Sequence, residues 1–351
     1  MTSSRRPTVN EVAERAGVSI ASVSRVLNGK GARAETERLV REAAAALGYI
    51  PDATGRSLKL GRGLQVAFAV DDVANPVYTE MMRGVEDGLR DAGQQRSGAA
   101  DGPRLVVASV GHELEDLIAL ISSLSRGFAD GLVISPLRTS PALVTALLEA
   151  PVPVVVVGNP GDKVPIDTVR TDSGRGVKLA FGHLADGGRQ RIAFVNGPSE
   201  TAPGRARLHG FESAAEGPQG GLAGAVVEAS AFTVEAGEEA WARLAALPAR
   251  RRPDAVVAAN DLLAFGVLRA AVSAGRQVPR DLAVVGIDDT EYARIYNPSL
   301  TSVSLGAVRR GTLAAGLLLD RMQQPSRAPR TRRVNPRLVI RESSAPRSVR
   351  R

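Results

Sequence analysis

Residues 8–28, TVNEVAERAGVSIASVSRVLN, decide how this chain is read. Thr8 and Glu11 stand in the S/T-x-x-E spacing of a capping box, where hydroxyl and carboxylate satisfy free N–H groups at a helix start. A short helix to about Ala16 follows. Gly17 falls where a tight turn needs positive φ, Val18 offers an apolar contact, and Ser19 is placed to cap a second helix from Ile20 to about Leu27. Two short helices joined in this way are a helix-turn-helix. A third helix is expected at about 34–47, where Val40, Ala43, Ala44 and Leu47 keep one face and Gly48 supplies a stop. With Val12, Ala16, Val18, Val23 and Val26 that face makes one small core.

The remaining sequence is built on a different pattern. At 351 residues the chain exceeds what one core usually serves. Residues 51–62 form a basic connector, after which apolar runs alternate with amphipathic stretches. Strands are expected at 65–70, 105–110, 132–135, 154–157, 191–195, 225–229, 255–257 and 282–286. Such alternation implies parallel sheets covered by helices, and eight strands suit two similar lobes with a cleft between them.

Composition narrows the function. Cysteine is absent, which removes disulfides, thiolate nucleophiles and Cys-ligated zinc. The first residues are polar and charged and the longest apolar runs are far below a membrane span, so a soluble cytoplasmic protein is expected. Net charge is +8, of which residues 1–62 carry +5 and residues 327–351 carry +8, leaving −5 for residues 63–326. A basic helical end suits phosphate contact; the C-terminal arginines also read as a solvated tail.

Residues 8–28 closely resemble the DNA-binding head of the LacI/GalR (lactose-repressor) family. The resemblance continues through ETERLVREAAAALGYIPD, VANPVYTEMMRGVEDGL, AFVNGPSE, RLHGF, AANDLLAFGVLRA, LAVVGIDDTEYARIYNPSLTSV and LVIRESSA, in the family's order. It implies an all-α helix-turn-helix head joined to an α/β two-lobed core like that of periplasmic sugar-binding proteins, with two doubly wound parallel sheets. The implied boundaries are a head at 1–49, a hinge helix or linker at 50–62, a core at 63–345 and a basic tail at 346–351. Within the core the N-lobe takes about 63–169 and 306–324, and the C-lobe about 170–305 and 325–345. A homodimer on a near-palindromic operator is implied, and only six residues after 345 leave no room for a tetramerising heptad helix.

The first residues of the second helix of such a motif reach base edges in the major groove. Ile20 and Ala21 lack hydrogen-bonding side chains and are expected on thymine methyls, whereas Arg25 suits guanine O6 and N7. The competing readings are a core role for Ile20 and a solvated or phosphate-contacting Arg25. Thr8, Ser19, Ser22, Ser24 and Asn28 suit phosphates, which fix register without reading sequence. The hinge of the family maps onto 51–59, with Arg56 in the basic connector and Leu58 as an apolar wedge in the minor groove. Asp52 and Gly55 depart from the family's Asn and Ala, and Gly55 weakens that helix by about 1 kcal/mol.

Carried over residue by residue, the family's effector contacts are Asn75, Tyr78, Arg207, Phe232, Asn260 and Asp288. Paired hydrogen bonds from carboxylate, guanidinium and carboxamide, with an aromatic face over C–H groups, suit a sugar or other polyol. Competing readings give Asp288 to a turn, Arg207 to a bridge between lobes and Phe232 to the core. Gly158, Pro203 and Leu305 stand where relatives carry polar contacts, which favours a deoxy sugar or a glycoside with an apolar aglycone. No GxSxG, HExxH or P-loop pattern occurs and the three histidines are scattered, so no enzyme activity, metal or cofactor is expected. The expected function is a sequence-specific transcriptional regulator, a repressor, controlled by a sugar-like effector; the alternative is a nonspecific nucleoid-type DNA-binding protein.

Overall fold

A computed structural model describes residues 8–27, 32–47, 64–94, 103–111 and 113–345 of the chain. Asn28, Gly48 and the hinge with Arg56 and Leu58 lie outside the described residues.

In the head, α1 (Val9–Ala16), α2 (Ile20–Leu27) and α3 (Ala34–Leu47) pack around Val12, Val23 and Val40, one fully buried valine from each helix. The capping box forms: the Thr8 amide donates to Glu11 Oε2 (2.5 Å) and the Glu11 amide to Thr8 Oγ1 (3.4 Å). Gly17 takes the left-handed conformation (φ 64°), ending α1 so that the chain can turn into α2; a Cβ here would have space but a disfavoured φ.

The core holds two six-stranded sheets. The first comprises β1 (Gln65–Val70), β2 (Arg104–Ser109), β3 (Gly131–Ser135), β4 (Val154–Val157), β5 (Asp167–Thr171) and β11 (Thr331–Val334). Its order is β2-β1-β3-β4-β5-β11, parallel throughout. The second comprises β6 (Ile192–Asn196), β7 (Ala223–Glu228), β8 (Ala255–Ala258), β9 (Ala283–Asp288), β10 (Thr301–Ser304) and β12 (Arg337–Val339). Its order, β7-β6-β8-β9-β10-β12, repeats the first, but β12 runs antiparallel to β10. The helices are α4 (Pro76–Gln94), α5 (Leu114–Ser123), α6 (Pro141–Leu148), α7 (Ser173–Asp186), α8 (Ala202–Ala215), α9 (Val234–Ala245), α10 (Asp261–Ser273), α11 (Glu291–Ile295) and α12 (Ala307–Gln323). Central strands such as β3, β4, β6 and β8 are buried along their whole length, as parallel strands covered on both faces must be.

One expected lobe assignment is corrected. Residues 325–345 do not all join the second lobe, because β11 completes the first sheet beside β5. The cause is Asp167, whose fully buried carboxylate accepts from Arg321 Nε (2.8 Å) and the Arg330 amide (2.8 Å), anchoring the segment after α12 to the first lobe. The chain therefore crosses between lobes three times, after β5, β10 and β11. Four strands, β5, β10, β11 and β12, add to the eight expected, and β5 carries the first lobe to Thr171.

Candidate functional site

On the head, α2 turns Val23 and Val26 inward and leaves Ile20, Ala21 and Arg25 exposed. Ile20 is 45 % exposed, so it is not part of the head core. A bulky aliphatic residue at the exposed start of α2 is what an apolar contact surface requires. Ser19 acts first as a cap: its Oγ accepts from the Ser22 amide (3.1 Å) and lies 2.9 Å from Ser22 Oγ. Thr8 is likewise engaged in its capping box, so the hydroxyls of both residues already have local partners.

In the core, the parallel strands of both sheets end at one cleft, the position at which open α/β sheets bind ligands. The cleft encloses about 850 Å³. Its lining includes all six expected effector residues, Asn75, Tyr78, Arg207, Phe232, Asn260 and Asp288, together with Gly158, Pro203 and Leu305. The three crossovers pass along it at Thr171–Ser173, Leu305 and Val334–Asn335. Helices α4, α7, α8 and α10 begin at its edge, capped by Asn75, Asp172, Thr201 and Asn260.

At the floor, Arg207 of α8 faces Asp288 at the end of β9, with Nη2 3.6 Å from Oδ1 and both side chains more than nine-tenths buried. The same guanidinium lies over the Phe232 ring, 5.8 Å from its centroid, so Phe232 is a wall of the cleft packed on a cation. Asp288 has φ 118°, a strained conformation for a side-chain-bearing residue that costs about 1–3 kcal/mol and holds the carboxylate at the cleft. Burial holds Asp288 above the usual carboxylate range, with Arg207 and Arg310 pulling the other way. Burial, then the nearby Asp71, push the Tyr78 phenol up, so it is a neutral O–H donor. Asn260 is partly committed: its Oδ1 accepts from the Leu263 amide (2.9 Å) and its Nδ2 donates to the Phe232 carbonyl (3.4 Å), which ties the loop carrying Phe232 to α10.

The sequence reading omitted Arg310, in the first turn of α12. Its place in the cleft depends on close packing of α12 on α4: a methyl group on Gly84 would strike the Val308 carbonyl, and one on Gly311 the Met81 carbonyl. Burial lowers the Arg310 pKa, Asp288 opposes that, and Arg207 adds to it. Also unforeseen was a rim contact between lobes, where the Ala202 amide donates to the Leu137 carbonyl (2.7 Å) and Arg138 Nη2 to Glu200 Oε1 (2.7 Å).

Behind the floor, Asp261 accepts from Thr290 N (2.8 Å) and Thr290 Oγ1 (2.9 Å), and its Oδ1 lies 2.5 Å from Ser302 Oγ. Burial, then Asp288, push its carboxyl up to about 8. A raised carboxyl stabilises the fold fully below its unfolded pKa and loses that contribution as pH climbs from about 4 through 8. Asp261→Asn is therefore expected to flatten the pH dependence of stability in that window by up to about 1.4 kcal/mol per pH unit. Denaturant titrations at pH 5, 6.5 and 8 check this; parallel curves for the two proteins would refute it.

Among the described residues, no helix is long and apolar enough to cross a membrane. Residues 8–52 match the model of bacterial regulatory proteins of the lacI family, and residues 181–344 match that of a periplasmic binding protein-like domain. The ribose operon repressor of Escherichia coli (strain K12) is 31% identical over 96% of this chain and 99% of its own length. The HTH-type transcriptional repressor PurR of Proteus mirabilis (strain HI4320) is 31% identical over 96% and 97%. Among solved structures, a lac repressor dimer bound to operator and the anti-inducer ONPF superposes with a TM-score of 0.69 at 26% identity, covering 97% of this chain and 99% of that one. The CelR–cellobiose complex gives 0.68 at 31% identity, covering 96% and 100%. With the helix-turn-helix and two-lobed core already in place, this agreement along nearly the whole chain shows that the protein belongs to the lacI family of bacterial regulatory proteins and is a sequence-specific DNA-binding transcriptional regulator.

Proposed function

We propose that the chain is a repressor that grips a near-palindromic operator as a homodimer in the cytoplasm and is released by a small polyol, a sugar or glycoside, held in the cleft. The observation that carries this reading is the convergence of Asn75, Tyr78, Arg207, Phe232, Asn260 and Asp288 on one cavity. A carboxylate, a guanidinium and a phenol set against an aromatic wall match hydroxyls on one side of a ring and C–H groups on the other. Relatives whose names carry ribose and cellobiose support the same chemistry. In this reading the cleft is a sensor, with no catalytic step and no cofactor.

The DNA-reading roles follow the exposed face of α2. Ile20 and Ala21 read thymine methyls, Arg25 reads a guanine, and Ser22 and Ser24 steady the phosphates. Ligand closure of the lobes changes how subunits meet and thereby whether the paired hinges order, a coupling of about 1–3 kcal/mol in typical allosteric proteins.

A thermal-shift panel of mono- and oligosaccharides against purines tests the effector class. A carbohydrate at 100-fold its Kd is expected to stabilise the protein by about 2.7 kcal/mol and to release operator DNA in a gel shift. A response to purines alone would sink the polyol reading. A nonspecific nucleoid-type binder would show equal competition by unrelated duplexes at fixed salt.

A further inference from the structure

The donors and acceptors at the cleft floor do not balance. Arg207 and Arg310 each present five N–H donors, yet neither side chain makes a hydrogen bond among the described residues, and the Nε of each is buried without an acceptor. The 3.6 Å contact of Arg207 with Asp288 is an ion pair too long for a hydrogen bond. The Tyr78 hydroxyl, a donor itself, has no partner among the described residues, and the Asn260 carboxamide is already engaged on both sides. Charge is uneven as well. Two guanidiniums face the single Asp288 carboxylate, and Asp261 behind it keeps its proton to about pH 8.

Arg310 is also badly placed for its own helix. It lies in the first turn of the 17-residue α12, at the positive end of the helix dipole, and no acidic residue in that turn offsets it. Moreover, the two arginines belong to different lobes, Arg207 to α8 over the second sheet and Arg310 to α12 over the first. They repel each other across the cleft.

A neutral hydroxyl can accept from an arginine, but it brings a further donor and no charge, so it leaves the excess positive charge at the floor uncompensated. A carboxylate or phosphate brings acceptors only and suits the planar fork of arginine. Resting on the polyol-sensor reading above, we propose that the effector is an anionic polyol, a sugar acid or sugar phosphate, whose charged group sits between Arg207 and Arg310 and draws the two lobes together. Closure is then coupled to charge, because the anion replaces repulsion between lobes with a shared counterion.

The test is calorimetry on the full-length protein and on Arg310→Met and Arg310→Lys variants. The probes are D-gluconate, D-glucuronate, D-ribose 5-phosphate and D-glucose 6-phosphate, with D-ribose, D-glucose and cellobiose as neutral counterparts and adenine and guanine as purines. One anionic sugar is expected to bind at least tenfold more tightly than its neutral parent, the carboxylate and phosphate arms separating the two sources of charge. Arg310→Met is expected to weaken it by about 10–100-fold, with partial recovery in Arg310→Lys. Far-UV circular dichroism and cooperative thermal unfolding like those of the wild type show that the variants are folded. If neutral sugars bind and no anion binds better, the charge assignment falls while the polyol reading stands; if only purines bind, both fall. A panel in which no anion binds, or an anion held equally by Arg310→Met, overturns the proposal.

Discussion

An Arg207→Met variant is expected to lose its effector response, with affinity reduced by at least about 100-fold, because one substitution removes both the donor fork at the floor and the cation packed on Phe232. Its stability loss should depend on pH. Removing one partner of a buried ion pair commonly costs about 3–5 kcal/mol where the other charge is stranded, and the loss here should fall below that because Arg310 still offsets Asp288. Asp288 has an escape, since burial already holds its carboxyl high, and without Arg207 it takes up a proton more readily. A carboxyl with a raised folded pKa favours the fold at low pH and loses that contribution as pH rises through the folded value. The melting-temperature gap from wild type should therefore be small at pH 5 and wide at pH 8. Arg207→Met/Asp288→Asn should remove the widening. A gap of constant size, or a surviving effector response, would count against the role given to this pair.

Arg25→Ala should have the other large effect, on DNA. Arg25 sits one turn after the exposed Ile20 and Ala21, on the face of α2 that Val23 and Val26 leave to solvent. Loss of a bidentate guanine contact costs about 1–3 kcal/mol per head, and a symmetric operator presents the contact to both heads of a dimer, so about 2–6 kcal/mol is expected in total. The loss should fall on one symmetric operator position, where the variant ceases to discriminate between bases. Binding across a library of single-base operator variants measures this. Uniform weakening on every sequence, with a shallower salt dependence, would instead identify Arg25 as a phosphate contact.

The two effects are separable because the sites belong to separate cores. The head packs on its own valines and alanines, whereas the cleft floor rests on the two sheets. Arg207→Met should therefore keep its discrimination between operator bases, and Arg25→Ala should keep its ligand affinity.

Local rules determined the head from the sequence alone. A capping box, a glycine at the turn and valines at helical spacing act within a few residues, and each is where the sequence placed it. The buried central strands were equally legible, since parallel strands covered on both faces need unbroken apolar runs. Strands β5, β10 and β11 escaped that rule because they read DTVRT, TSVS and TRRV. Ser302 and Thr301 are buried in β10 only because Asp261 and Ser343 reach them from distant parts of the chain. The lobe to which 331–334 belongs was settled by Asp167, more than 150 residues earlier.

The six proposed effector positions were named from the family resemblance, residue by residue, and all six lie in the lining of one cleft. Arg310 was not among them. In one dimension it is one of two adjacent arginines at the start of an amphipathic helix, where charge ordinarily faces water. Only the third dimension, with glycines letting α12 lie against α4 and the chain crossing lobes beside it, turns that side chain into the cleft opposite a second arginine. Capping and periodicity are short-range and can be read from neighbours, whereas the electrostatic meaning of a charge depends on what solvent the fold removes from it.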